Sequence, residues 1–326
     1  MFRSLPLLVL FSSSCLLAVD AGSNAGCLPQ TGSSCDGGSL GTDAGASSAD
    51  GLPAVMLLVD ISGSMNSPLS FNGPTCGTCT GATCPPTCPT RRSVLIGGLG
   101  QMLQSQATTA WLGLTTFPDG ANTAFMPSGC APATVQAVPL APVEGDAPSA
   151  VLAQRQAVLS AVEALGSAER PFSGGTPTAP SLRFLASLPA LTASTRPRGV
   201  ILVTDGLANC NPNNALSCDS SPRPASNLCT LGANCIGPYC RAGYLDNADA
   251  VLAVRALRTA GVKVAVIGLG ADFDAPESVQ VMNALADEGG ATACAPGLSC
   301  DKRFFAVNNE ALLFGALATA MLRVTQ

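Results

Sequence analysis

Three small oxygen-bearing side chains stand at alternate positions in Val59-Asp60-Ile61-Ser62-Gly63-Ser64-Met65, directly after the apolar run Ala54-Val-Met-Leu-Leu-Val59. In an extended turn alternate side chains point the same way, so Asp60, Ser62 and Ser64 converge on one side of the chain. One carboxylate and two hydroxyls are hard donors. They suit a small hard cation such as Mg²⁺, which takes six oxygens at about 2.1 Å and sheds its water reluctantly. Taken alone, the same residues also read as a polar loop that turns a corner.

Composition narrows the chemistry. Of 326 residues, 47% are hydrophobic and 11% charged, so a sizeable core faces a surface made mostly of Ser, Thr, Asn, Gly and Pro. Histidine is absent, which removes Ser-His-Asp and Cys-His catalysis and the usual catalytic zinc sets. Net charge is -5, and no basic cluster exceeds the pair Arg91-Arg92, which argues against a nucleic-acid surface. Gly97-Gly98-Leu-Gly100 and Gly268-Leu-Gly270 lack dinucleotide spacing, and no phosphate-cradling Gly-x-x-x-x-Gly-Lys loop occurs.

The elements that must position Asp60 alternate along the chain. Strands are expected at 54–59, 110–117, 199–204, 262–269 and 303–307, with a short edge strand at 133–140. Between them, helices are expected at 92–106, 149–167, 178–188, 246–260, 276–288 and 308–323. Pro276 opens one helix, Gly261 closes another, and Asn308 or Asn309 caps the last. Apolar strands alternating with amphipathic helices mean an α/β fold, doubly wound, with a mostly parallel central sheet covered on both faces. Ligands of such sheets sit outside the carboxyl ends of the strands. Asp60 lies just past one such end, and Asp205, in Val203-Thr-Asp205-Gly206, just past another. Trp111 in the second strand reads as core. Asp272 with Asp274, and Glu144 with Asp146, could serve an auxiliary calcium site but read first as loops of solvated acids.

Asp-x-Ser-x-Ser after the first strand resembles the metal-ion-dependent adhesion site of von Willebrand factor A domains. That family adds a Thr from a loop before a later helix and an Asp after a later strand. Gly174-Gly175-Thr176-Pro177 offers Thr176, and Asp205 stands in the second place. The resemblance covers residues 52–326 and implies a metal set of Asp60, Ser62, Ser64, Thr176 and Asp205 around Mg²⁺, or Mn²⁺ or Ca²⁺ in its place. It implies direct ligation by Ser62 and Ser64. Asp60 and Asp205 would act largely through water, and Thr176 would be direct or water-bridged by state. An open position on the ion would then attract a carboxylate from a partner protein or a surface matrix.

The chain is read as exported. A short basic start, Met1-Phe-Arg3, precedes an apolar stretch from Leu5 to Phe11, too short to span a bilayer. Ser12-Ser-Ser-Cys15 resembles a bacterial lipoprotein cleavage box with Cys15 as the lipidated residue, while Val19-Asp-Ala21 suits ordinary signal peptidase. Residues 1–21 are thus a signal peptide and 22–51 a Gly/Ser/Asp-rich tether. Either route removes Cys15 from the 15 cysteines, leaving an even number. Cys76-x-x-Cys79 and Cys84-x-x-x-Cys88 have spacings also found in zinc and redox sites, but in an exported chain this rich in cysteine they read as disulfides. Cys210, Cys218, Cys229, Cys235 and Cys240 form a second cluster. Cys130 is expected to pair with one of these or with the first cluster, and Cys294 with Cys300 locally. No stretch is apolar for long enough to cross a membrane; 311–322 comes nearest and reads as a buried terminal helix.

The cysteine-rich insertions 66–90 and 207–243 both leave the carboxyl edge of the sheet. They read as a rim that selects the partner, or as stabilising devices. The sequence therefore points to an extracytoplasmic binding module, not an enzyme. The alternatives are an envelope-assembly subunit without metal-dependent adhesion, a metal-dependent hydrolase, or a chelatase-type subunit of the same fold.

Overall fold

The computed structural model describes residues 51–69, 88–105, 110–119, 130–142, 146–167, 172–210, 246–294 and 300–326. The expected signal peptide, the expected tether up to residue 50, Glu144, most of both cysteine-rich insertions and the Asp272 side chain lie outside the described residues.

Five strands form one parallel sheet: β1 (Ala54–Asp60), β2 (Trp111–Phe117), β3 (Arg198–Thr204), β4 (Lys263–Leu269) and β5 (Phe305–Val307), in the order β2-β1-β3-β4-β5. All seven residues of β1 are buried, which explains its unbroken apolar run. Its side chains alternate between two cores. Val55, Leu57 and Val59 pack with α1 (Arg91–Ser105), α2 (Pro148–Glu163) and the terminal α7 (Glu310–Thr325). Ala54, Met56 and Leu58 pack with α3 (Thr178–Ala186), the short α4 (Pro189–Thr192), α5 (Asn247–Thr259) and α6 (Pro276–Gly289). The fold is thus α/β and doubly wound, as expected.

Helix ends follow the residues expected to make them. Pro276 sits in the first turn of α6. Gly261, at φ +79°, follows α5. Asn309 caps α7 through its side chain, which accepts from Leu312 N–H at 2.8 Å. α7 buries Leu313, Leu317, Ala320 and Val324, and no helix among the described residues is long and apolar enough to cross a membrane.

Two expectations are corrected. Residues 133–140 form no strand: Val138 alone bridges to Leu114, antiparallel to it. Pro132 precedes the segment and Pro139 lies within it, and neither has an N–H to donate, so no ladder extends along it. Asp146 is not a solvated acid. Its carboxylate accepts from Leu52 N–H and from Trp111 Nε1–H, both at 2.6 Å, and pairs with Arg196. Those hydrogen bonds and the Arg196 charge hold its carboxyl below the usual range, overriding the upward push of burial. Trp111 is core, as expected, at 2% exposure.

Strand order places the site. β1 has β2 on one side and β3 on the other, so the winding reverses at β1, and the crevice outside its carboxyl end is the topological switch point. Asp60 ends β1 and Asp205 directly follows β3.

Candidate metal centre

β1 delivers Asp60 to the carboxyl edge fully buried. One carboxylate oxygen, Oδ1, accepts from Ser62 N–H at 2.8 Å, which closes the turn. The other, Oδ2, accepts from Thr204 Oγ1–H at 2.6 Å. The chain then winds into a single 3-10 turn, Gly63–Asn66. There Ser62 Oγ and Ser64 Oγ lie 3.1 Å apart, and Ser64 Oγ–H donates to Asp205 Oδ1 at 2.8 Å.

The Thr176 loop is laid against this turn by backbone bonds. Gly63 N–H donates to Gly174 O at 3.0 Å, and Ser173 N–H donates to Ile61 O at 2.9 Å. Asn66 Nδ2 adds a bond to Phe172 O at 2.8 Å. Thr176 is buried, and its Oγ1 lies 3.8 Å from the place a Cβ on residue 206 would take. The structure therefore links Asp60, Ser62, Ser64 and Asp205 by hydrogen bonds and lays the Thr176 loop against the same turn. Of the five, Ser64 is the exposed one, and the site opens to solvent there.

The electrostatics are uneven. Burial pushes the Asp60 carboxyl up to about 7, and the Asp205 charge adds to the push; the bonds from Ser62 and Thr204 oppose it and lose. Asp205 has a counter-ion. Arg91 is 1% exposed, and its Nη1 donates to Asp205 Oδ2 at 2.8 Å and to the Asp205 carbonyl at 3.2 Å.

The donor set fits a small divalent cation. Two buried carboxylates stand near enough for one to raise the other, and the Ser62 and Ser64 hydroxyls join to Asp205 beside them. No group of three or more Cys, Asp and Glu side chains among the described residues is placed to hold a metal. Asp274 pairs with Lys302 at 2.6 Å.

Sequence reasoning missed four residues here. Thr204 holds Asp60, Asn66 holds the turn, Asn209 holds the Thr176 backbone, and Arg91 balances Asp205. Thr204 was visible as the polar residue ending an apolar strand. Arg91 left a fainter signal: it opens α1, whose first turn holds no acidic residue, where the helix dipole disfavours a cation.

Of the expected disulfides, Cys130–Cys210 and Cys294–Cys300 are formed, and Cys88 is disulfide-bonded too. Cys210 belongs to the second cluster, so Cys130 pairs there. The rest of the expected rim lies outside the described residues.

No family model matches the sequence, and no curated protein matches it. Among solved structures, the pilus adhesin SpaC from Lactobacillus rhamnosus GG aligns at 18% identity over 84% of this chain and 31% of its own, with a TM-score of 0.46. The PilB minor pilin from Streptococcus sanguinis aligns at 16% identity over 85% and 62%, with a TM-score of 0.49. Manganese-loaded TRAP protein from Plasmodium vivax aligns at 16% identity over 85% and 74%, with a TM-score of 0.42. This chain thus spans less than two thirds of SpaC and of PilB.

Proposed function

We propose that the chain is an exported binding module of the von Willebrand factor A type. Its centre would hold one divalent cation, Mg²⁺ first and Mn²⁺ or Ca²⁺ in its place, among Asp60, Ser62, Ser64, Thr176 and Asp205. One observation carries the reading. Ser62, Ser64 and Asp205 form one hydrogen-bonded run at the switch point of the sheet, with Asp60 behind it and Thr176 beside it. Bound there, the ion supplies positive charge that neutral hydroxyls compensate poorly, and with it an affinity for an outside carboxylate. The ligand class is a protein or surface matrix presenting Asp or Glu side chains. The reading assigns no reaction to the site. The disulfides support export, because such bonds persist in oxidising compartments; attachment through a lipid on Cys15 belongs to the same proposal.

The test is a calorimetric Mn²⁺ titration of the metal-free chain and of its Ser62→Ala/Ser64→Ala variant. Wild type binds one ion, and the variant binds at least about tenfold more weakly, as expected when more than 1.4 kcal/mol of ligation is lost. Equal affinity in the two proteins sinks the metal site. Arg91 favours a second reading, an assembly subunit that uses no metal, because Asp205 already has a buried counter-charge. No Mn²⁺ uptake by folded wild type at millimolar concentration would select it.

A further inference from the structure

The loop that carries Thr176 is bounded on its far side by the Cys130–Cys210 disulfide. The two cysteines are 80 residues apart in sequence, with Cα atoms 5.7 Å apart. One lies beyond β2 and the other beyond β3, the strands on either side of β1. Both sulfurs press on Gly175: a Cβ there would lie 2.8 Å from Cys210 Sγ and 3.0 Å from Cys130 Sγ. Only glycine fits without displacing the bridge. The residue beside Cys210 is Asn209, which grips the loop from two sides. Thr176 N–H donates to Asn209 Oδ1 at 2.7 Å, and Asn209 N–H donates to Thr176 O at 3.2 Å. Cys210 Sγ packs 3.6 Å from the same Oδ1, a contact and not a hydrogen bond, since a bridged sulfur carries no proton.

We infer that the Cys130–Cys210 bridge, acting through Asn209, is the positioning device for Thr176. The inference rests on the reading of this centre as a metal site. The physical need is plain from the sequence. Two consecutive glycines, Gly174 and Gly175, precede Thr176, and glycine has the most backbone freedom to lose on ordering. A ligand hydroxyl must nonetheless be held to within about 0.5 Å. Bonds to the Ser62–Ser64 turn restrain the Gly174 side. The sulfurs and Asn209 restrain the Gly175–Thr176 side. Without the bridge, the Asn209 grip rests on a loop after β3 that is held at Ala208 by Asp246 N–H but no longer tied to the segment beyond β2.

The full-length chain, its Cys130→Ala/Cys210→Ala variant, Gly175→Ala and the triple variant test this in two stages. The first stage uses metal-free protein and amide hydrogen exchange. In the Cys130→Ala/Cys210→Ala variant, with far-UV dichroism unchanged, the Thr176 amide exchanges about tenfold faster or more, as for a hydrogen bond freed to open locally. Unchanged protection overturns the inference. If the double variant does not fold, Gly175→Ala, whose Cβ would displace the sulfurs, replaces it with the same expected and overturning results. The second stage is Mn²⁺ titration. Gly175→Ala weakens binding about tenfold in the parent and by clearly less once the sulfurs are gone, when only the 3.1 Å approach to Asn209 Oδ1 remains, a coupling that independent sites do not show. Equal penalties in both backgrounds overturn the inference. Wild type that binds no Mn²⁺, while the Thr176 amide still loses protection in the variant, sinks the metal reading and leaves the positioning role standing.

Discussion

A guanidinium where a metal is expected is the odd residue of this site. Arg91 and Asp205 form a pair in which neither side chain exceeds 2% exposure. Burying two charges is costly, and the geometry must make up for it; removing one partner strands the other and costs roughly 3–5 kcal/mol. Arg91→Met should therefore lower the metal-free melting temperature sharply, while Arg91→Lys, which keeps a charge but not the planar fork, should fall between. The same substitution removes a positive charge that repels a cation at the centre. Saturating Mn²⁺ should thus raise the melting temperature of Arg91→Met by more than it raises that of wild type. Equal shifts, measured by scanning calorimetry, would show that Arg91 and the ion do not compete. The five proposed donors could be singled out because each lies within a short motif at a strand or helix end. Arg91 was not, because its partner is 114 residues away and helix periodicity is blind to such a pairing.

Helix α1 shows how packing overrides local propensity. It carries Gly97, Gly98 and Gly100 in its interior, each of which weakens an isolated helix by up to about 1 kcal/mol relative to Ala. The reasons differ by position. A Cβ on Gly98 would lie 2.6 Å from Leu313 Cδ2, 2.8 Å from its Cγ and 3.1 Å from its Cβ, so α1 approaches α7 too closely for a methyl group. A Cβ on Gly100 would meet nothing within 4 Å. One substitution type in one helix should then act with opposite signs. Gly100→Ala should stabilise by roughly 0.5–1 kcal/mol. Gly98→Ala should destabilise by about 1–3 kcal/mol, since overpacking a filled core outweighs the helix gain. Urea denaturation of the two variants checks this, and a shared sign would refute the close-approach argument. At this scale the fully buried strands were easy to read, because burial on both faces leaves an unbroken apolar run. Residues 133–140 misled because their apolar positions suggested a strand while two prolines withheld the donors a ladder needs. α4, four residues long, is shorter than any periodic pattern can reveal.

Across the whole molecule, two buried acids set how stability responds to pH. Asp60 is pushed up to about 7 by burial and by Asp205. Asp246 precedes α5 with both carboxylate oxygens buried, and burial, with the Asp249 carboxylate adding to it, also pushes its carboxyl up to about 7. Both start from 3.8 in the unfolded chain. Between those values the folded protein holds more protons than the unfolded one. The stabilisation is complete below pH 4 and disappears as pH rises through 7. Asp146 works the other way: its carboxyl is depressed, so its contribution is lost only as pH falls below the ordinary carboxylate range. Between pH 5 and 7.5 the two raised acids should dominate, and the melting temperature of metal-free protein should fall across that window. Asp60→Asn should flatten the fall, because the amide carries no charge to desolvate. A divalent ion at the centre competes with the proton on Asp60. Mn²⁺ should therefore bind more tightly as pH rises through 7, and its thermal stabilisation should be largest at the alkaline end of the window. Calorimetric scans at several pH values, with and without Mn²⁺, separate the two effects. A metal-free melting temperature that climbs steadily from pH 5 to 7.5 would mean that Asp60 and Asp246 are ionised and paired in the fold, and that the two carboxylates of the centre do not feel one another.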